Sequence, residues 1–245
     1  MPRSWIRPDW TVPETIDAAV ATRLGPGVSS GAYARFNLGL RSGDAVDAVV
    51  ANRAALVPAL GLPDRPLWLR QVHGTQVAGS LPIQAGDEPE ADAAVARGPG
   101  RVLAILTADC LPVLFASADG ETIGAAHAGW RGLAAGVLER TVEHMAAADV
   151  QAWLGPAIGM ASYEVGEEVR AAFVDADPAA AAAFEVTRPG HWLCDLYALA
   201  RRKLAVAGVE RVSGGGFDTF RDDRLYSYRR DGAASGRFAT LIWTR

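Results

Sequence analysis

Three residues able to bind a soft or borderline cation recur in one kind of setting along this chain. His73, Cys110 and His127 each follow an apolar run, and each histidine has a glycine within two residues, at Gly74 and Gly129. Strand ends that open into glycine-rich turns are where sheets present reactive side chains to a pocket. The chain has only four histidines and two cysteines, so three such placements are hard to credit to composition alone. Two histidines and one cysteine make a three-ligand set for zinc. A structural zinc takes four protein ligands, whereas a catalytic one keeps a position for water and lowers its pKa to about 7. The ligands are far apart in sequence and form no compact metal motif. Taken one at a time, Cys110 reads equally as a small core hydrophobe, and each histidine as a hydrogen-bonded structural residue. Asp109 is a candidate proton shuttle by adjacency to Cys110, although consecutive residues tend to point apart.

The remaining histidines and cysteine read differently. His144 falls near the end of a predicted helix, where a cation suits the dipole. His191, in the loop RPGHW, reads as a surface residue, and Cys194, between Leu193 and Asp195, as core or helix-start packing.

Mixed α/β architecture must position the three ligands, because apolar β-type runs alternate with Ala-rich helical stretches. Residues 44–60 read as a helix with Val46, Val49, Val50, Leu56 and Leu60 on its apolar spacing and Gly61 as its stop. Residues 66–73, 102–107, 113–116, 122–127, 150–154 and 238–243 read as strands. Helices are expected over 133–145 and 163–173, after the N-cap Asp177 with Pro178, and over 196–207 behind the N-cap Asp195. Residues 80–100, rich in Pro, Gly and acid, read as a surface excursion between strands.

Composition narrows the function classes. The 245 residues are 50% hydrophobic and 21% charged, with a formal net charge of -4, as in an ordinary soluble domain. No basic run signals a nucleic-acid reader; Arg229 and Arg230 alone are too few. No apolar run approaches the roughly 18 residues needed to cross a bilayer. The opening MPRSWIRPDW lacks the apolar core of a signal peptide, so a cytoplasmic protein is expected.

At these residues the sequence resembles the YfiH-type family, labelled variously laccase-domain protein, polyphenol oxidase and purine nucleoside phosphorylase. The resemblance is carried by ATRLGPGVS and FNLGL (21–29 and 36–40), WLRQVHGTQV (68–77) and ADAAVARGPGRVLAILTADCLPVLFA (91–116). It continues in GAAHAGWRGLAAGVLERTVEHM (124–145), AWLGPAIGMASYEVGEEV (152–169) and YSYRRDGAASGRFATLIW (226–243). It implies zinc ligands at His73, Cys110 and His127, and a single-domain, four-layer α/β/β/α fold with mixed sheets, similar to cysteine-hydrolase-like folds. It also implies phosphorolysis of adenosine, inosine, guanosine and methylthioadenosine, together with adenosine deamination. The chain departs from the family pattern at Phe217-Asp218-Thr219, at Pro26 within GPGVS, and at Ser235 before Gly236-Arg237.

Phosphorolysis needs a site for phosphate, and Arg23, Arg35 and Arg131 are candidates beside glycines. Asn37 either bonds sugar hydroxyls or caps a turn. A nucleoside and phosphate are thus the expected partners, without nucleic acid or membrane. A metal-free alternative makes Cys110 a nucleophile and His127 its base, as in an amidase-like hydrolase acting on a cell-wall precursor. The polyphenol-oxidase label implies copper. Two histidines and a cysteine could hold one copper, but a trinuclear cluster needs many more histidines than His144 and His191. An interaction protein would instead show a large exposed apolar patch. His144→Ala is expected to leave turnover nearly unchanged and to cost a few tenths to ~1 kcal/mol of stability; lost turnover in a folded variant would place His144 in the site.

Overall fold

The structure, a computed structural model, describes residues 4–79 and 88–245. Its strands are β1 (Trp5–Ile6), β2 (Ile16–Ala21), β3 (Val77–Ala78), β4 (Ala93–Arg97), β5 (Val102–Thr107), β6 (Leu111–Ala116), β7 (Thr122–Ala128), β8 (Gln151–Leu154), β9 (Glu164–Gly166), β10 (Phe184–Arg188), β11 (His191–Cys194), β12 (Arg211–Gly214) and β13 (Phe238–Thr244). Its helices are α1 (Val46–Leu60), α2 (Trp130–Ala135), α3 (Val137–Met145), α4 (Glu167–Val174), α5 (Leu196–Val206) and α6 (Tyr228–Asp231).

The strands form a four-stranded antiparallel sheet in the order β1-β2-β13-β5, a six-stranded mixed sheet β12-β8-β6-β7-β4-β3, and a small antiparallel sheet β10-β11-β9. The six-stranded sheet is parallel at its ends and antiparallel in its middle. Side chains of a strand alternate between faces, and here both faces are covered. In β13, Phe238 and Ile242 join Ile105, Leu114, Ile123 and Trp153 in a core between the two large sheets. The intervening Ala239, Leu241 and Trp243 join Leu56 of α1, Phe36 and Leu38 in a second core. A third core lies on the other face of the six-stranded sheet, where Val113 and Phe115 meet Leu133, Leu138, Phe173 and Leu199. The observed architecture is therefore α/β, with a mixed and an antiparallel sheet facing one another and helices packed on their outer faces. No helix among the described residues is long and apolar enough to cross a membrane.

Most expected elements are present, and the exceptions have local causes. Residues 66–73 do not form a strand: they make only bridges at Leu67 with Leu103 and at Arg70 with Glu90. The Gln71 side chain takes the ladder's place, donating from Nε2 to the Leu106 carbonyl at 2.8 Å and accepting from the Leu106 amide at 2.9 Å. The helix expected over 133–145 starts earlier, behind Gly129, and breaks at Gly136, whose φ of 96° is left-handed. The helix expected from residue 163 begins at Glu167, because residues 164–166 pair with β11. In α1 the buried face is Val49, Asn52 and Leu56, while Val46 and Val50 are exposed. Of the excursion expected at 80–100, residues 80–87 lie outside the described residues, and residues 93–97 are the buried strand β4. The caps are as expected: Asp177 accepts from the Ala179 amide, opening a 3-10 turn rather than an α-helix, and Asp195 accepts from Ala198.

Helix α2 docks against the turn that carries His73. A Cβ added at Gly132 would lie 2.8 Å from the Gly74 carbonyl oxygen. Helix propensity alone would make Gly132→Ala stabilising by up to ~1 kcal/mol. Overpacking costs about 1–3 kcal/mol and should win. Urea unfolding is expected to show a lowered midpoint for Gly132→Ala; a raised one would mean that α2 stands clear of the turn.

Candidate metal centre

Sheet register brings the site together. Strand β7 runs between β6 and β4, with Pro112 opposite His127 on one side and Ala93 opposite Ala126 on the other. Cys110, just before β6, and Asp92, just before β4, therefore flank the end of β7 where His127 sits. The third ligand arrives from the QVHG turn. That turn is tied down where the Gln76 carbonyl accepts from the amides of Asp92 at 3.0 Å and Ala93 at 3.1 Å.

The ligand atoms of His73, Cys110 and His127 all lie within 4.8 Å of one another. The Cys110 Sγ to His73 Nε2 separation is 3.9 Å, near the roughly 3.6 Å edge of a tetrahedron built from ordinary zinc–sulfur and zinc–nitrogen bonds. The two imidazoles stand edge to face, 4.8 Å between centroids. His127 is buried, Cys110 half-buried and His73 exposed, so the cluster opens on one side. Gly129 forms its wall: a Cβ there would fall 2.8 Å from His73 Cδ2 and 3.2 Å from Cys110 Sγ. Only glycine leaves room for both ligands.

Asp92 holds the centre in place. Its buried carboxylate accepts from the amides of Val72 at 3.2 Å, His73 at 2.9 Å and Gly74 at 2.7 Å, and from His127 Nδ1 at 2.8 Å. The last bond leaves His127 Nε2 as the free donor atom, the usual second partner of a metal-binding histidine. Burial pushes the Asp92 carboxyl up, but the hydrogen bond from His127 and those from the turn outweigh it and hold it below the ordinary range. Burial likewise pushes the Cys110 thiol up, and the charge and hydrogen bond of His127, then those of His73, bring it down to about 6. His127 moves the other way: burial lowers it, and the Cys110 thiolate and Asp92 raise it to about 9. Without a metal, Cys110 and His127 thus form a thiolate–imidazolium pair. Two non-glycine residues here have left-handed backbones, His73 at φ 62° and Asp109 at φ 89°; such strain persists where the surroundings over-determine it.

Asp109 does point away from the ligand cluster's hydrogen bonds. Its Oδ1 accepts from the Thr219 hydroxyl at 2.5 Å and its Oδ2 from the Arg229 amide at 2.7 Å. Asn37 is buried, and its four side-chain bonding positions are used within the protein. Nδ2 donates to Ser42 and Asp44, and Oδ1 accepts from the amides of Gly39 and Arg237. Three of them cap the local turn, and the fourth ties it to the residue before β13. Arg23 donates to the Ala34 carbonyl at 3.0 Å and stacks on Tyr226, and Arg35 donates to the carbonyls of Leu24 and Gly25. Both close the loop in which they lie. Arg131 is exposed and stacks on Trp130, two residues beyond Gly129.

His144 bonds the Arg140 carbonyl of its own helix, and Cys194 is buried, with its thiol pushed up to about 12 by burial. His191 opens strand β11 half-buried and bonds the Pro189 carbonyl, rather than lying in a surface loop. The trio is the only group of three or more metal-binding side chains among the described residues. Asp92 was not singled out from sequence, and Gly129, Thr219 and Arg229 were named there without these roles. The one signal at Asp92 is weak, an acid within the alanine-rich run 91–96.

Residues 17–245 match the family described as "Multi-copper polyphenol oxidoreductase laccase". The chain is 55% identical over 253 residues to "Purine nucleoside phosphorylase" of Xylella fastidiosa (strain Temecula1), spanning 98% of this chain and 97% of that protein. It is 47% identical over 241 residues to "Purine nucleoside phosphorylase YfiH" of Escherichia coli (strain K12), spanning 97% and 98%. A crystal structure of a Neisseria meningitidis protein superposes with a TM-score of 0.93 at 45% identity, over 98% of this chain and 99% of that one. With its three-ligand cluster and a match over nearly its whole length, this chain belongs to the multi-copper polyphenol oxidoreductase laccase family, among the YfiH-type proteins.

Proposed function

We propose that this chain is a zinc-dependent purine nucleoside phosphorylase. Adenosine, inosine, guanosine and methylthioadenosine are its substrates, and adenosine deamination is a second activity. The observation that carries the reading is the open His73, Cys110 and His127 cluster, in a chain whose relatives are named for this reaction. Three protein donors and one open side match a catalytic rather than a structural zinc. The donor count disfavours multicopper chemistry, since beyond the trio the chain has only His144 and His191, too few for a trinuclear cluster.

In phosphorolysis a phosphate oxygen bonds to C1′ of the ribose while the bond from C1′ to the purine nitrogen breaks. The electron pair leaves with the purine, which takes up a proton. Zinc, when bound, supplies a Lewis-acidic charge beside these atoms. Asp92 fixes the imidazole of His127 and the backbone of His73, so the ligand geometry is set before substrate arrives. Arg131, beside the glycine wall, supplies charge for phosphate, and Asp109 keeps lone pairs free to carry a proton.

One observation favours a second reading. The thiolate–imidazolium pair of Cys110 and His127 is also the resting state of a cysteine hydrolase. Three measurements separate the two. His73→Ala, Cys110→Ala and His127→Ala should each strip zinc from a folded protein; stoichiometric zinc in Cys110→Ala would end the assignment. Chelation should abolish adenosine turnover and zinc should restore it, with free adenine released only when phosphate is present. Ammonia released without phosphate would mark deamination.

Thiol alkylation gives a further expected outcome. In chelated protein at pH 7, iodoacetamide should modify Cys110 quickly, because its thiol is held at about 6. Cys194, buried and held at about 12, should stay unmodified. Zinc should protect Cys110. Mass spectrometry reads both sites, and rapid alkylation of Cys110 in zinc-loaded protein would favour the hydrolase.

A further inference from the structure

Arg237 has no ion pair among the described residues, although much of it is covered by protein. It stands immediately before β13, with its amide donating to Asn37 Oδ1 at 2.8 Å. Its side chain packs across Gly39, where a Cβ would fall 2.7 Å from Arg237 Cγ. Nη1 donates to the carbonyls of Ser235 at 2.7 Å and Gly236 at 2.9 Å, which fixes the plane of the guanidinium. Nε and Nη2 make no hydrogen bond among the described residues, yet neither is among the buried atoms that lack partners. Each therefore keeps some exposure to solvent. No carboxylate forms an ion pair with this residue among the described residues, whereas Arg53, half-hidden in the same way, pairs with Glu88.

Strand register locates Arg237. Phe238, the next residue, pairs with Thr107 at the end of β5, and the chain reaches Cys110 three residues later. Arg237 therefore stands beside the segment that carries Asp109 and Cys110. Helix α6 closes the same side. Its Arg229 amide binds Asp109, and its Tyr228 is 53% exposed.

A largely buried cation without a counter-ion is unfavourable unless an anion completes it. Arg237 has no such partner among the described residues, and two of its N–H groups remain free of protein acceptors. A guanidinium presenting Nε and Nη2 together is the fork that pairs with a phosphate edge through two parallel hydrogen bonds. We infer that Arg237 is the phosphate-binding residue of this site, holding inorganic phosphate through Nε and Nη2 beside the metal ligands. This rests on the phosphorolytic reading for the identity of the anion; the fork itself is independent of it.

The test uses the zinc-loaded full chain, with Arg237→Met retaining the stem and Arg237→Lys retaining the charge without the fork. Inorganic phosphate and, separately, adenosine monophosphate are titrated by calorimetry, and the Michaelis constants for phosphate and adenosine are measured. Two charge-assisted hydrogen bonds lost should weaken phosphate binding about a hundredfold or more in Arg237→Met, and raise KM for phosphate by the same order. KM for adenosine should hold within about twofold, and Arg237→Lys should fall between the two proteins. Unchanged phosphate affinity in an Arg237→Met protein of normal zinc content and circular dichroism overturns the inference. So does tighter binding of adenosine monophosphate than of phosphate, which would assign the fork to a nucleotide. If Arg237→Met fails to fold, Arg237→Lys decides, and wild-type phosphate affinity in it overturns the inference. Phosphate binding lost in Arg237→Met without any phosphorolysis in the wild type would support the fork and sink the proposed reaction. Phosphorolysis with an unaltered KM for phosphate would do the reverse.

Discussion

Four hydrogen bonds converge on one buried carboxylate, that of Asp92. Three come from consecutive amides of the QVHG turn and the fourth from the His127 ring. A buried carboxylate is tolerable only when its lone pairs are filled, and here they are filled by the parts of the protein that must be held relative to one another. The left-handed backbone of His73 depends on this, because the turn can aim three amides at one acceptor only by paying in local strain. So does the free Nε2 of His127. Removing the acid would leave three amides and an imidazole without a partner, a larger disruption than the loss of one ligand.

The ligands differ in how they are held. His127 belongs to a central strand with neighbours on both sides, and its amide also donates to the Asp92 carbonyl at 2.7 Å. Cys110 precedes β6 on the adjoining strand. His73 lies outside the sheet on a turn pressed against α2 at Gly132 and against the ligand wall at Gly129. Two glycines thus allow a peripheral turn to approach a rigid sheet end at van der Waals distance. In both places it is the absence of a side chain, rather than unusual dihedral freedom, that the fold uses.

The grouping of His73, Cys110 and His127 into a possible metal site was legible in the sequence because histidine and cysteine are scarce here and each stands where an apolar run ends. The central strands were legible for the same reason: a continuous run such as 102–107 has no surface alternative. Asp92 was not, because the strand after it is mostly alanine, which carries little β signal, and an acidic, proline-rich stretch precedes it. Residues 66–73 looked like a strand by composition, but their pairing runs through the Gln71 side chain, which no periodicity reveals. Arg23, Arg35 and Asn37 have the types expected of a substrate pocket, yet their partners are loop carbonyls, amides and side chains. Residue type alone cannot tell an arginine that closes a loop from one that waits for an anion.

Strand β13 is synthesised after every other described strand, yet it sits in the middle of its sheet, between β2 and β5. Strands that start 86 residues apart, at residue 16 and at residue 102, have no shared partner until residues 238–244 leave the ribosome. Until then, two apolar edges wait unpaired, a condition that invites association between chains. The ligand-bearing strands β6 and β7 are complete well before, and they pair with each other and with β4 without help from β13. The strands beside the candidate metal site can therefore pair early, whereas the second sheet closes only through non-local contacts made with the last strand.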